Sequence, residues 1–245
     1  MVRRTALALS VFALVTFGTG VAHAFAQTLD EIVAKNYATR GGASKWKSIQ
    51  TQKMTGTAIG QGAEVGMTIY GKRPNLGRQE IVVEIPGQAP IAIVSVFDGV
   101  KAWSSNPMSG SDALNEMSGP EADTMKEQSD FDGSLIDYRA KGHTVELVGT
   151  ESVGAKKAHH LKVTRKGMPA QHFYLDVETG LELKVTTEAG SGPATDVELS
   201  DYRTVEGVQV AHMIRITQNG AVVGELRIAT VEFNVPLADA LFKVR

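Results

Sequence analysis

Histidine is the side chain best suited to metal binding or proton transfer at neutral pH, and beyond residue 26 it occurs at His143, His159, His160, His172 and His212. His159 and His160 are neighbours, so on a strand they face opposite sides and cannot chelate one ion together. His160 and His172 can meet across a hairpin, but no acidic residue stands at an obvious liganding position beside them. The chain has no cysteine, which excludes disulfides and thiolate metal sites. It contains no H-E-x-x-H, no G-x-S-x-G nucleophile elbow and no P-loop. Gly60, Gly62 and Gly66 miss the dinucleotide spacing and read as a turn. Asp130-Phe131-Asp132-Gly133 carries only part of a calcium loop and is better read as a helix cap. Asp196 and Glu198 share the polar face of a strand. No convergent acid, base or nucleophile emerges, so the expectation is a non-catalytic protein with neither metal nor cofactor.

The elements that would position a site are mostly strands. From Gly142 to Phe233 apolar residues fall on alternate positions, broken by glycine-containing turns. In Leu181–Val185 and Val208–Ile216 one face is apolar and the other mostly polar, the pattern of an antiparallel sheet with one face covered. Earlier strands are expected near residues 49–59, 64–72, 78–85, 91–97 and 100–103, with Asp98-Gly99 as a two-residue hairpin turn. The total is about twelve antiparallel strands, too many to stay flat. Thr28-Leu29-Asp30-Glu31 has capping-box spacing, and Leu29, Ile32, Val33 and Tyr37 continue it as a helix with one apolar stripe, ended by Gly41-Gly42.

Between residues 104 and 142 the alternation disappears. Ser118-Gly119-Pro120-Glu121 is a second helix start, Met125 lies on its stripe, and Phe131, Leu135, Ile136 and Tyr138 form another apolar group. Two short helices lying across the sheet as a lid are the expectation. Met108, Met117 and Met125 all fall here, and methionine fits adaptable binding surfaces as well as irregular core gaps.

At the start, Arg3-Arg4, an apolar run to Phe17 and small residues up to Ala26 read as a secretory signal peptide over residues 1–26. Cleavage can follow Ala24 or Ala26, and Ala26 is preferred. It removes two of the 25 basic residues and none of the 27 acidic ones, leaving a formal charge of −4 on residues 27–245. A weakly acidic surface argues against nucleic acid and anionic lipid headgroups as partners. Without a cysteine at the cleavage point, the product is not a lipidated lipoprotein.

Several short segments together resemble one family. Tyr37, Gly41-Gly42, Trp46 and Ile49 precede the first strand, and Phe97-Asp98-Gly99 is followed by Trp103. Lys141-Gly142-His143 leads into Glu146-Leu147-Val148-Gly149, and Asp201-Tyr202-Arg203 into Gly207-Val208. In this succession the chain resembles the periplasmic lipoprotein-carrier and lipoprotein-sorting proteins, the LolA-like family. The resemblance implies one domain over residues 27–245: a strongly curved antiparallel sheet forming an incomplete barrel, with an N-terminal helix and two mid-chain helices on its concave side. It implies a soluble periplasmic protein that holds acyl chains of lipoproteins or lipids, with an inner- or outer-membrane donor or acceptor protein as partner. The candidate liners are Met67, Ile69, Ile81, Val83, Ile93, Trp103 and Met213, with Met125 and Phe131 on the lid. Singly, each is more readily read as plain core packing than as a ligand contact. A different class of function is an envelope accessory or sensor protein whose open sheet edge grips a protein segment.

Overall fold

The computed structural model describes residues 27–244 except Gln61 and Ser191, so the expected signal peptide lies outside the described residues. Helix α1 (Leu29–Thr39) opens on the expected capping box. Thr28 Oγ1 accepts the Glu31 N–H at 3.3 Å, and the Glu31 carboxylate accepts the Thr28 N–H at 2.8 Å. A short helix α2 (Ala43–Ser48) then carries Trp46 into the first strand.

Thirteen strands follow: β1 (Thr51–Gly60), β2 (Ala63–Lys72), β3 (Leu76–Val83), β4 (Ile91–Phe97), β5 (Ala102–Asn106), β6 (Ser111–Glu116), β7 (Thr144–Val153), β8 (Lys156–Arg165), β9 (Met168–Asp176), β10 (Glu182–Thr187), β11 (Thr195–Val205), β12 (Val208–Gln218) and β13 (Ala221–Phe233). They form one antiparallel sheet in the order β6-β5-β4-β3-β2-β1-β13-β12-β11-β10-β9-β8-β7. Each half is a meander, and β1 pairing with β13 welds the halves together. The sheet is curved and unclosed, an incomplete barrel with β6 and β7 at its two edges.

The mid-chain segment differs from expectation. Only one α-helix forms there, α3 (Gly119–Gln128), after a β5–β6 hairpin that extends the sheet and carries a single 3-10 turn at Pro107–Ser109. Residues 131–142 are a run of turns rather than a second helix. Gly133 and Asp137 take φ of 68° and 52°, which no helix accommodates. The apolar residues there still turn inward, but from a turn framework fixed by Lys141, whose ammonium binds Asp130 at 2.5 Å and the Gly133 carbonyl at 2.7 Å.

One face of the sheet bears the helices. Ile32 and Val33 of α1 pack with Val145, Leu161, Val163, Phe173 and Leu175. Trp46 of α2 packs with Ile49, Phe131, Ile136, Val208 and Phe233. Met125 of α3 packs with Phe97 and Ala102. Helix α1 is also pinned to the β9–β10 turn, where Lys35, Asn36 and Thr39 donate to the carbonyls of Val177, Gly180 and Thr179 at 2.6–2.9 Å. Gly180 is required there: its φ is +78°, and a Cβ would lie 2.9 Å from Lys35 Cγ.

The opposite, outer face is mostly solvated. Arg215 lies within reach of Glu198 and Glu225, and Arg227 pairs with Glu225, along one cross-strand row. Over β2–β3 this face is covered by the C-terminal segment, with Arg78 donating to the Leu241 carbonyl and Lys72 paired to Asp239.

Three aspartates should make the fold acid-sensitive. Burial alone would raise the carboxyls of Asp98, Asp132 and Asp176, but donors outweigh it and hold all three below the ordinary range. The donors are the Lys101 and Val100 N–H groups with the Trp103 indole for Asp98, Arg73 for Asp132, and Lys156 with two backbone N–H groups for Asp176. A depressed folded pKa gives stability that is complete above the unfolded value, about 3.9 for aspartate, and is lost as pH falls through the lower folded values. The thermal midpoint should therefore hardly move from about pH 7 to about pH 5 on account of these groups, then fall steeply below about pH 4. A melting series across that range checks it, and a midpoint that stays flat to about pH 2.5 would refute it.

Candidate functional site

On the helix-bearing face, a set of apolar side chains lies outside the three clusters that the helices cover. Cross-strand pairing aligns Leu199, Ile214, Leu226, Ala58 and Val65 in one row. The neighbouring row runs Ile228, Gly56, Met67, Ile81 and Ile93, and Val83 opposite Ile91 extends the surface at the strand ends. Met67 and Ile228 are buried and the other apolar members are half-buried, yet none belongs to the three clusters beneath the helices. The result is an apolar trough crossing β1–β4 and β11–β13. With strands about 4.8 Å apart, a row of five spans about 19 Å.

The structure brings Met67, Ile69, Ile81, Val83 and Ile93 together on this face, through the pairs Met67–Ile81, Ile81–Ile93, Ile69–Gln79 and Val83–Ile91. Met125 and Phe131 stand on the same side but are locked into core clusters, exposed by 4% and 7%. They seal the roof rather than line the trough.

Two expected liners sit on the wrong face. Trp103 pairs with Val96, one residue out of phase with Phe97 and Ala102, and so faces outward. The Asp98 hairpin is a four-residue loop, because Asp98 Oδ1 accepts the N–H groups of both Val100 and Lys101, and Trp103 Nε1 donates to Asp98 at 2.9 Å. Trp103 is thus a staple of that loop. Met213 pairs with Ser200 and Arg227, opposite in phase to Ile214 and Ile216. It lines an open hollow of about 500 Å³ with Leu181, Leu183, Tyr202 and Arg215.

The roof is α3 and the turns after it. Ser129 presses on β3 so closely that a Cβ at Gly77 would lie 2.1 Å from its Oγ. Gln128 bonds Gln79 at 2.6 Å, which ties the helix end to the trough wall. At the base, Arg73 donates to the Ile49 carbonyl (2.6 Å), the Trp46 carbonyl (3.1 Å) and Asp132 (2.8 Å), with its guanidinium 4.5 Å over the Phe131 ring. Tyr37 donates to the Leu135 carbonyl, and burial pushes its hydroxyl up to about 12.

His160 and His172 meet, as a hairpin allows, but acids also flank them, which the sequence reading did not expect. His160 Nε2 and His172 Nδ1 lie 2.7 Å apart, with Glu151 2.6 Å from His160 Nδ1 and Glu188 2.8 Å from His172 Nε2. Hydrogen bonds from His172 and Lys162 hold the Glu188 carboxyl below its ordinary range. Because the two rings bond each other and one carboxylate apiece, they do not converge on a common point. Among the described residues no three His, Asp or Glu side chains are placed to hold a metal ion.

A scan of family models against the sequence finds no match, and neither does a comparison with curated protein sequences. Solved structures do match. One is a putative outer membrane lipoprotein-sorting protein domain from Vibrio parahaemolyticus, at TM-score 0.59 and 15% identity over 86% of this chain and 94% of that one. A LolA superfamily protein from Nitrosomonas europaea matches at TM-score 0.60 and 15% identity, over 89% and 98% of the two chains. A DUF1329 family protein from Desulfovibrio piger matches at TM-score 0.58 and 14% identity, over 86% and 97%. The fold is LolA-like: an open, curved antiparallel sheet with helices on one face. Among the described residues no helix is long and apolar enough to cross a membrane.

Proposed function

We propose that this chain is a non-catalytic periplasmic carrier that holds the acyl chains of lipoproteins or lipids in the trough. The observation that carries the reading is the set of half-buried apolar rows on the helix-bearing face that the three helix-bound clusters leave out. Apolar surface of this extent, roofed by a helix with one buried residue, gains by taking a greasy guest. Each methylene removed from water contributes about 0.8 kcal/mol, so a single chain supplies enough driving force for stable binding. Release then requires α3 to lift or a membrane-bound donor or acceptor protein to compete. The chain is to be purified from its native envelope without detergent and its organic extract read by mass spectrometry. Stoichiometric acyl lipid supports carriage; an empty protein that also fails to take up added lipid refutes it.

A second reading, capture of a protein segment, is favoured by the free edge of β7. Leu147 and Val148 are exposed there by 39% and 53% on a ten-residue strand with no outer neighbour among the described residues. It predicts an empty trough and a defined protein partner in the same purification.

A further inference from the structure

Beneath the roof helix lies a carboxylate clamp that is filled by the protein's own side chain. Arg165 at the end of β8 and Gln171 on β9 are exposed by only 5% and 4%. Glu127, in the last turn of α3, places one carboxylate oxygen 3.0 Å from Arg165 Nη1 and receives the Gln171 Nε2 donor on the other. Ser134 donates to Gln171 Oε1 at 2.7 Å, which turns the amide so that its NH₂ faces Glu127. Arg165 Nη2 donates to the Pro169 carbonyl at 2.9 Å, while its Nε is buried without a partner.

The two halves of this contact differ in how firmly they are held. The receptor side is built on paired strands, Gln171 lying opposite both Val163 and Thr187. The carboxylate is delivered by a helix whose one buried residue is Met125, and the Glu127 side chain remains 28% exposed. A buried guanidinium is costly to leave unpaired, so some anion must always occupy the clamp. The clamp lies on the same face of the sheet as the trough, two strands from its nearest strand, β11. Gln171 belongs to a polar row with Thr187, Thr195 and Gln218. One step inward the row is Phe173, Val185, Val197 and Ile216, which leads along the apolar surface.

We infer that Arg165 and Gln171 form the head-group site for a single-chain amphiphile bearing a carboxylate, and that Glu127 is an internal stand-in which this ligand displaces. The inference rests on the reading of the trough as an acyl-chain site and narrows its cargo to an acidic lipid. Once displaced, Glu127 no longer ties α3 to the C-terminal half of the sheet, so loading and lifting of the roof are one event.

The test titrates dodecanoate and its methyl ester into the wild-type chain, Glu127→Gln and Arg165→Met by calorimetry, with circular dichroism as the control for folding. The wild type should prefer the acid. Removing the internal competitor in Glu127→Gln should raise the acid-over-ester affinity ratio about tenfold, as expected for a freed charge-assisted contact. Arg165→Met should bring the ratio to about one; if that variant does not fold, the Glu127→Gln ratio decides alone. Equal binding of acid and ester in both wild type and Glu127→Gln overturns the clamp and leaves the trough reading standing. Failure of both ligands to bind any variant overturns the trough reading and the clamp with it.

Discussion

Val83→Asp should strip the protein of acyl lipid, and Met213→Glu should leave it loaded. Val83 sits opposite Ile91 on the helix-bearing face, half-buried and outside the three packed clusters. With the trough empty, an aspartate there keeps access to water and the fold tolerates it. A chain lying across the strand would take that water away and bury a carboxylate with no donor beside it. A cost of at least about 3 kcal/mol follows, roughly a hundredfold in affinity. Met213 is the control because it is equally apolar but points outward, between Ser200 and Arg227 on a charged face. A glutamate there gains a cationic neighbour and should change stability by no more than about 0.5 kcal/mol. Extracted lipid per mole of protein, with a fluorescent fatty-acid displacement assay, separates the outcomes. Lipid lost from Met213→Glu but kept by Val83→Asp would mean that the cargo sits on the other side of the sheet.

The contrast also shows what the sequence makes legible. Strict alternation in Val208–Ile216 places Val208, Val210, Ile214 and Ile216 on one face, and it places Met213 with Arg215 on the other. Read strictly, the period alone puts Met213 on the outer face, whatever its side-chain type suggests. Period-2 alternation likewise carries most of the strands, and the capping box at Thr28 carries α1, because both are set by neighbours in the chain. The mid-chain segment failed for the opposite reason. Leu135, Ile136 and Tyr138 pack inward from turns whose shape depends on Lys141, Asp130 and the hydroxyl of Tyr37, a residue 100 positions away from its donor at Asp137. The β1–β13 weld is equally silent in the sequence, since it pairs Gln52 with Phe233 from opposite ends of the run of strands. The ties of the roof, Glu127 to Gln171 and Arg73 to Asp132, span 44 and 59 residues and carry no local motif. A trough can thus be anticipated from apolar rows, whereas its latches cannot.

The most heavily bonded of those ties is the Arg73 hub, and Arg73→Met should lower the thermal midpoint by about 6–12 °C, equivalent to about 3 kcal/mol. Methionine retains most of the buried chain length, so the loss isolates the guanidinium. Without it, Asp132 keeps a half-buried carboxylate but loses the nitrogens at 2.7 and 2.8 Å, and the Ile49 and Trp46 carbonyls lose their donor. The Arg73 and Asp132 side chains are exposed by only 16% and 20%, so water does not fully replace these contacts. Arg73→Lys should recover less than half of the loss, because one ammonium cannot reach three acceptors or lie flat on Phe131. The double change Arg73→Met with Asp132→Leu should be more stable than Arg73→Met alone, since it leaves no unpaired charge at the base of the roof. Denaturant melts of the wild type, Arg73→Met, Asp132→Leu and the double variant give the coupling between the two sites. A double variant no better than Arg73→Met would show that the two carbonyls, and not Asp132, are what the arginine is there to satisfy.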